Sequence, residues 1–106
     1  MYNEQMIQEL RKRWNALQQA LAREGGDAIL ITTNVNLFYV SLRIFSGAAS
    51  VRLEGDPLFF VRRPVGLKGG NVIYIRKPEE IAGHLQQRGI PMPAKLFLET
   101  DSISYN

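Results

Sequence analysis

His84 is the first place to look for chemistry, because these 106 residues hold no second imidazole and no cysteine. A catalytic or structural metal ion asks for several convergent His, Cys, Asp or Glu side chains. His84 has no co-ligand at a useful spacing, and Glu79 and Glu80, being adjacent, point in different directions on a helix. His84 therefore reads as a solvent-facing or capping residue, and no metal site is expected within the chain. Nucleophilic hydrolysis fails for a related reason: His84 would have to be the base, and no Gly-x-Ser-x-Gly elbow precedes it. No catalytic residue is assigned. The missing thiol also excludes disulfides and cysteine nucleophiles and suits a reducing compartment, so the default location is cytoplasmic.

Two further patterns could bind anions. The loop Gly66-Leu67-Lys68-Gly69-Gly70-Asn71 has the glycine content of a phosphate cradle, but it lacks the spacing and the terminal lysine and hydroxyl of a P-loop. It leads into a strand instead of opening a helix, so no helix dipole stands behind its amides, and it reads as a plain turn. The net charge of +3 is unevenly placed. Arg43, Arg52, Arg62, Arg63, Lys68, Arg76 and Lys77 lie in the middle of the chain against only Glu54 and Asp56. With Phe38, Tyr39, Phe45, Phe59, Phe60 and Tyr74 nearby in sequence, this invites single-stranded nucleic acid, which is held by cations and stacking rings. Most of those aromatics, however, stand in runs with core character, and so small a net charge gives only weak, salt-sensitive retention on a polyanion. A stand-alone module binding single-stranded nucleic acid or an acidic protein remains the alternative reading, and nucleic acid is not the expected partner.

The elements that position these residues follow from periodicity. The length suits one domain, and 45% hydrophobic with 22% charged residues is ordinary globular usage. The apolar runs are far shorter than the roughly 20 residues that span a bilayer, and no secretory signal opens the chain, so no membrane partner is expected. Leu10, Trp14, Leu17 and Leu21 form one stripe of a helix predicted from about Asn3 to Glu24, with Asn3 as N-cap and Gly25-Gly26 supplying positive φ at its end. Ala28 to Ile31 reads as a strand covered on both faces. Asn34 to Val40 reads as a turn running into a short helix, followed by a tight small-residue passage at Gly47. Val51 and Leu53 alternate with Arg52 and Glu54; Glu54-Gly55-Asp56-Pro57 is turn chemistry; Leu58 to Val61 returns as the second arm of a hairpin. Val72 to Ile75 is a fourth strand, Pro78 to Arg88 a short helix with Ile81 and Leu85 inward, and Leu96 to Leu98 a fifth strand. The fold class is α/β: a mixed sheet of about five strands flanked by helices. Asp101 to Asn106 looks like the start of another helix, as if the domain were truncated there.

At Asn36-Leu37-Phe38-Tyr39-Val40-Ser41 the sequence resembles the amino-terminal domain shared by creatinase, prolidase and aminopeptidase P, with its N-x-x-Y-L-T-G-F pattern. Gly25-Gly26-Asp27-Ala28-Ile29-Leu30-Ile31 matches that family's G-x-D-A-x-L-I strand, and Ser46-Gly47-Ala48 and Leu58-Phe59-Phe60-Val61 follow in its order. The resemblance covers essentially residues 1–106. Leu42 stands where the family usually has glycine, and Arg43 where it usually has phenylalanine. What the resemblance implies is a division of labour. A carboxy-terminal pita-bread domain beyond Asn106 would supply two aspartates, a histidine and two glutamates, which hold two divalent metal ions, Mn, Co or Zn. This part alone would be inactive and would hold no cofactor. It would serve dimerisation of an Xaa-Pro dipeptidase or aminopeptidase, contact its own catalytic domain, and restrict access to short proline-containing peptides. The substrate-proximal segment implied is Arg43 first, with Phe45 and Ser46 in the same loop and Tyr39 in the motif before it; a guanidinium there suits a substrate carboxylate.

Overall fold

The computed structural model describes residues 3–64, 66, 69, 71–90 and 93–99. Helix α1 spans Glu4–Arg23 and opens as its sequence dictates: the Asn3 side chain accepts the Met6 amide at 2.8 Å, satisfying one of the free donors of the first turn. At its far end Gly25 alone takes positive φ, at 77°. Gly26 matters for a different reason, since a Cβ there would lie 2.7 Å from the Leu21 side chain, which would have to shift to admit it.

Strand β1 (Ala28–Ile31) follows, then α2 (Asn34–Ser41), β2 (Ser46–Arg52), β3 (Leu58–Arg63), β4 (Val72–Tyr74), α3 (Glu80–Gln87) and β5 (Leu96–Leu98). The five strands form one mixed sheet in the order β4-β3-β2-β1-β5. The two central pairings, β1 with β2 and β2 with β3, are antiparallel, whereas the outer ones, β1 with β5 and β3 with β4, are parallel. The predicted α/β class, hairpin and five strands are all present.

Two boundaries differ from the sequence reading, each for a physical reason. The small residues Ser46-Gly47-Ala48, expected as a turn before a strand, form the first half of β2 itself. Gly47 has φ 153°, and a Cβ on it would fall 1.9 Å from the Phe60 carbonyl oxygen, so the missing side chain is what lets β3 approach. Pro78, expected in the first turn of a helix, lies before α3, which begins at Glu80. The Glu80 carboxylate reaches back to accept the amides of Arg76 and Lys77 at 2.9 and 2.8 Å, and those two bonds hold its carboxyl below the usual range.

The strand period of two sends alternate side chains to opposite faces, and each face has its own core. Against α1 and α2 lie Ile29, Ile31, Ala49, Val51, Phe59 and Val61, packed with Leu10, Trp14, Leu17 and Leu21. On the other side Ala48, Leu58, Phe60 and Ile73 meet Ile81 and Leu85 of α3. Among the described residues that second layer stops short of β5, where Leu96 and Leu98 are 46% and 48% exposed. Among the described residues, no helix is long and apolar enough to cross a membrane.

Candidate functional site

Helix α2 and the turn after it carry Tyr39, Arg43, Phe45 and Ser46, so the way α2 is held decides what those residues can do. Its amino-terminal end is capped from a distance. Thr33, at the N-cap position, makes no side-chain bond to its own helix. Instead Glu99, just past β5, offers its carboxylate to the positive end of the helix. Glu99 Oε1 accepts the Thr33 amide at 2.7 Å and the Thr32 hydroxyl at 2.9 Å, together with the Thr32 amide. Oε2 accepts Asn36 Nδ2 at 2.7 Å and the Thr33 hydroxyl. Burial pushes this carboxyl up, but the bonds from Asn36, Thr33 and the two amides outweigh it and hold the group down to about 2.

The carboxy-terminal end is clamped by α1. The last turn of a helix leaves carbonyls without helical partners. Here Arg13 donates to the Tyr39 carbonyl at 2.8 Å, and Trp14 Nε1 donates to the Val40 carbonyl at 2.8 Å in a buried setting. Arg13 is itself steadied by Glu9 at 3.2 Å, and its guanidinium carbon lies 4.8 Å from the centre of the Tyr39 ring. Tyr39 is thus half-buried and tied to α1.

The turn beyond α2 is fixed just as closely. Leu42 adopts the left-handed conformation, φ 56° and ψ 28°, with its amide bonded to the Phe38 carbonyl at 2.7 Å. This is the position at which the resemblance leads one to expect glycine, and the backbone keeps the glycine conformation with a leucine in it. The buried Ser41 hydroxyl lies 2.6 Å from the Leu37 carbonyl and accepts the Arg43 amide at 3.0 Å. Phe45, only 6% exposed, stands edge-on to Phe59 with ring centres 6.1 Å apart, and so anchors the turn in the core. Between these anchors Arg43 is half-buried, Ile44 is 83% exposed, and Ser46 is exposed at the start of β2. The four residues singled out from sequence therefore play different parts. Tyr39 and Phe45 hold the segment, while Arg43 and Ser46, with Ile44 between them, are on its accessible side.

The remaining candidates are scattered. His84 is half-buried on α3 with its ring 6.5 Å from that of Phe60. Among the described residues, no three His, Asp or Glu side chains converge where a metal ion could sit, so these residues do not fit a metal pair. Phe45, Phe59 and Phe60 are core residues and Tyr39 is half-buried under Arg13, which leaves Phe38 on α2 and Tyr74 on β4 as exposed rings on separate elements rather than one stacking surface. The basic residues Arg62, Arg63, Arg76 and Lys77 are exposed, whereas Lys68, with Leu67 and Gly70 of the glycine loop, lies outside the described residues, as does the helix start expected at Asp101.

A model of the creatinase/prolidase N-terminal domain matches residues 13–106. Among solved structures, the chain is similar to an Xaa-Pro dipeptidase from Bacillus anthracis at 18% identity and a TM-score of 0.64, over 91% of this chain and 28% of that one. It is also similar to an aminopeptidase P, an Xaa-Pro aminopeptidase from Streptococcus thermophilus, at 15% identity and a TM-score of 0.64, over 88% of this chain and 76% of that one. Identities this low establish likeness of fold alone, and the chain spans 28% of the length of the Bacillus protein. No curated protein matches it by sequence. The strand order, the two helix layers and a family match that runs over most of the sequence agree, and the chain belongs to the creatinase/prolidase N-terminal domain family.

Proposed function

We propose that this domain is the non-catalytic, amino-terminal part of a cytoplasmic Xaa-Pro dipeptidase or aminopeptidase, serving dimerisation and limiting which peptides reach the active site. On this reading the hydrolytic chemistry, with two divalent ions of Mn, Co or Zn that activate water and stabilise a tetrahedral intermediate, belongs to a catalytic domain outside these residues. The 106 residues alone are inactive. What they contribute is a rigid edge to the substrate's path.

The observation that carries this reading is the turn at Leu42–Ser46. Its backbone is fixed by the Ser41 hydroxyl, the left-handed Leu42 and the buried Phe45 ring, so Arg43 and Ser46 are held in place at little cost in conformational freedom when a ligand arrives. A guanidinium in such a setting suits the free carboxylate of a short peptide. Replacing Arg43 by Ala in the full-length enzyme is expected to raise KM for an Xaa-Pro dipeptide about tenfold while leaving kcat within about twofold, the mark of lost ground-state binding. An unchanged KM would remove Arg43 from the substrate's path. Cleavage of a proline dipeptide by the 106-residue chain would overturn the whole reading.

A further inference from the structure

Strands β2 and β3 do not pair in one continuous register. Gly47 faces Val61, but the next pair is Ser46 with Arg63, so Arg62 is left over and two arginines stand opposite one serine. The shift falls beside the Phe60 carbonyl, where the missing side chain of Gly47 admits a close approach. In an unbroken register Arg62 would have paired with Ser46; the extra residue re-aims the end of β3 and brings Arg63 across from the serine instead. Residues directly opposite each other on paired strands have Cβ atoms about 5 Å apart, within reach of one small ligand. Ser46 also ends the turn that carries Arg43, so the register joins that turn to the far end of β3.

The charge at this end of the sheet is one-sided. Arg62 and Arg63 are exposed, and among the described residues neither guanidinium has an ion-pair partner. Ile75 donates its amide to the Val61 carbonyl at 3.0 Å, so the parallel register of β3 and β4 sets Arg76 and Lys77, both exposed, alongside them. Among the described residues the acidic groups here are Glu79 and Glu80 at the start of α3, and the Glu80 carboxylate is committed to the amides of Arg76 and Lys77. With Arg43 this makes five cations against two carboxylates, a balance equal to the +3 of the entire chain. An anion is drawn to such an end, and the point in it where a hydroxyl stands beside a planar fork of donors is the pairing of Ser46 with Arg63.

We propose that Arg63 is a second substrate-binding residue of this domain, taking the free carboxylate of a short peptide together with the Ser46 hydroxyl across the strand and Arg43 in the turn before it. On the peptidase reading, on which this assignment rests, the guanidinium fork of Arg63 grips both carboxylate oxygens and Ser46 donates one further hydrogen bond. Arg63 is held by a paired strand rather than a free loop, so its backbone is fixed before the ligand arrives. Arg62, Arg76 and Lys77 add an attraction over longer range, which hastens encounter and is screened by salt.

The test is steady-state cleavage of an Xaa-Pro dipeptide by the full-length enzyme at low salt. Arg63→Ala is expected to raise KM about tenfold with kcat within about twofold, as when substrate and transition state lose the same contact. Arg63→Lys, which keeps the charge but not the fork, is expected to raise it about threefold. Arg62→Ala and Arg76→Ala remove the same charge from the same end of the sheet and are expected to stay within about twofold of the parent, with far-UV circular dichroism unchanged in all four variants. A KM within about twofold of the parent in both Arg63 variants overturns the proposal. So does an equal rise in the Arg62, Arg63 and Arg76 variants, which would make the cluster a diffuse field rather than a site. Neither result touches the peptidase reading, which fails instead if the parent enzyme leaves the dipeptide uncut; a KM raised by Arg43→Ala and not by Arg63→Ala keeps the turn in the substrate's path and removes only the strand.

Discussion

The two faces of the sheet are built to different standards. On the α1 and α2 side, Leu17, Leu21, Ile31, Val40 and Val51 have no measurable exposure, and even the helix-end carbonyls of Tyr39 and Val40 are met by Arg13 and Trp14. On the α3 side, the layer formed by the described residues stops halfway and leaves the leucines of β5 half exposed. The closed face holds α2 and the turn at Leu42–Ser46 to one geometry. The half-open face keeps apolar side chains of β5 exposed and so contributes less buried area per residue to stability.

The largest test of that contrast is Leu17→Ala on the closed face. It is expected to cost about 3 kcal/mol in urea unfolding, because a fully enclosed leucine loses its transfer free energy and leaves a cavity. Gly47→Ala comes next, at about 2 kcal/mol or more. Its new methyl cannot coexist with the Phe60 carbonyl unless β2 and β3 separate, and its φ is one that L-residues rarely adopt.

Glu99→Gln is a smaller perturbation at the joint between the faces, expected at about 1 kcal/mol, since the carboxylate is partly solvated and its bonds are correspondingly screened. Its pH signature is specific. The carboxyl is held below its ordinary 4.5, at about 2, so its contribution is complete above pH 4.5 and drains away as pH falls toward 2. The glutamine variant should accordingly lose less stability than the parent over that interval in acid titrations. Leu96→Ala on the open half should cost under about 1 kcal/mol, because much of that side chain is already in water. A cost as large as that of Leu17→Ala would mean that the two faces are equally sealed.

What the sequence made legible was whatever repeats at short range. The Leu10, Trp14, Leu17, Leu21 stripe and the Asn3 cap located α1, and the continuous run from Ala28 to Ile31 located a strand buried on both sides. The family resemblance also pointed to a turn where a left-handed residue is needed, although Leu42 occupies it. Short-range pattern misled at Ser46-Gly47-Ala48, since small residues signal a turn when read alone and a close strand approach when Phe60 lies opposite. The substrate-proximal grouping of Arg43 with Phe45 came from the resemblance and not from spacing, and the structure adds that the Phe45 ring is sunk in the core whereas the guanidinium two residues earlier is not. The carboxylate of Glu99 gave no signal at all: its partners lie 63 to 67 residues back along the chain, and no local spacing connects them.

The lone indole of the molecule, Trp14, sits at the seam between α1 and α2 with its N–H committed to Val40. It is therefore an intrinsic optical gauge of one side only. Its emission should move to longer wavelength as soon as α1 lifts away from α2, and should stay still while only the α3 side rearranges, so a single cuvette measurement can tell which of the two sides of the scaffold has loosened.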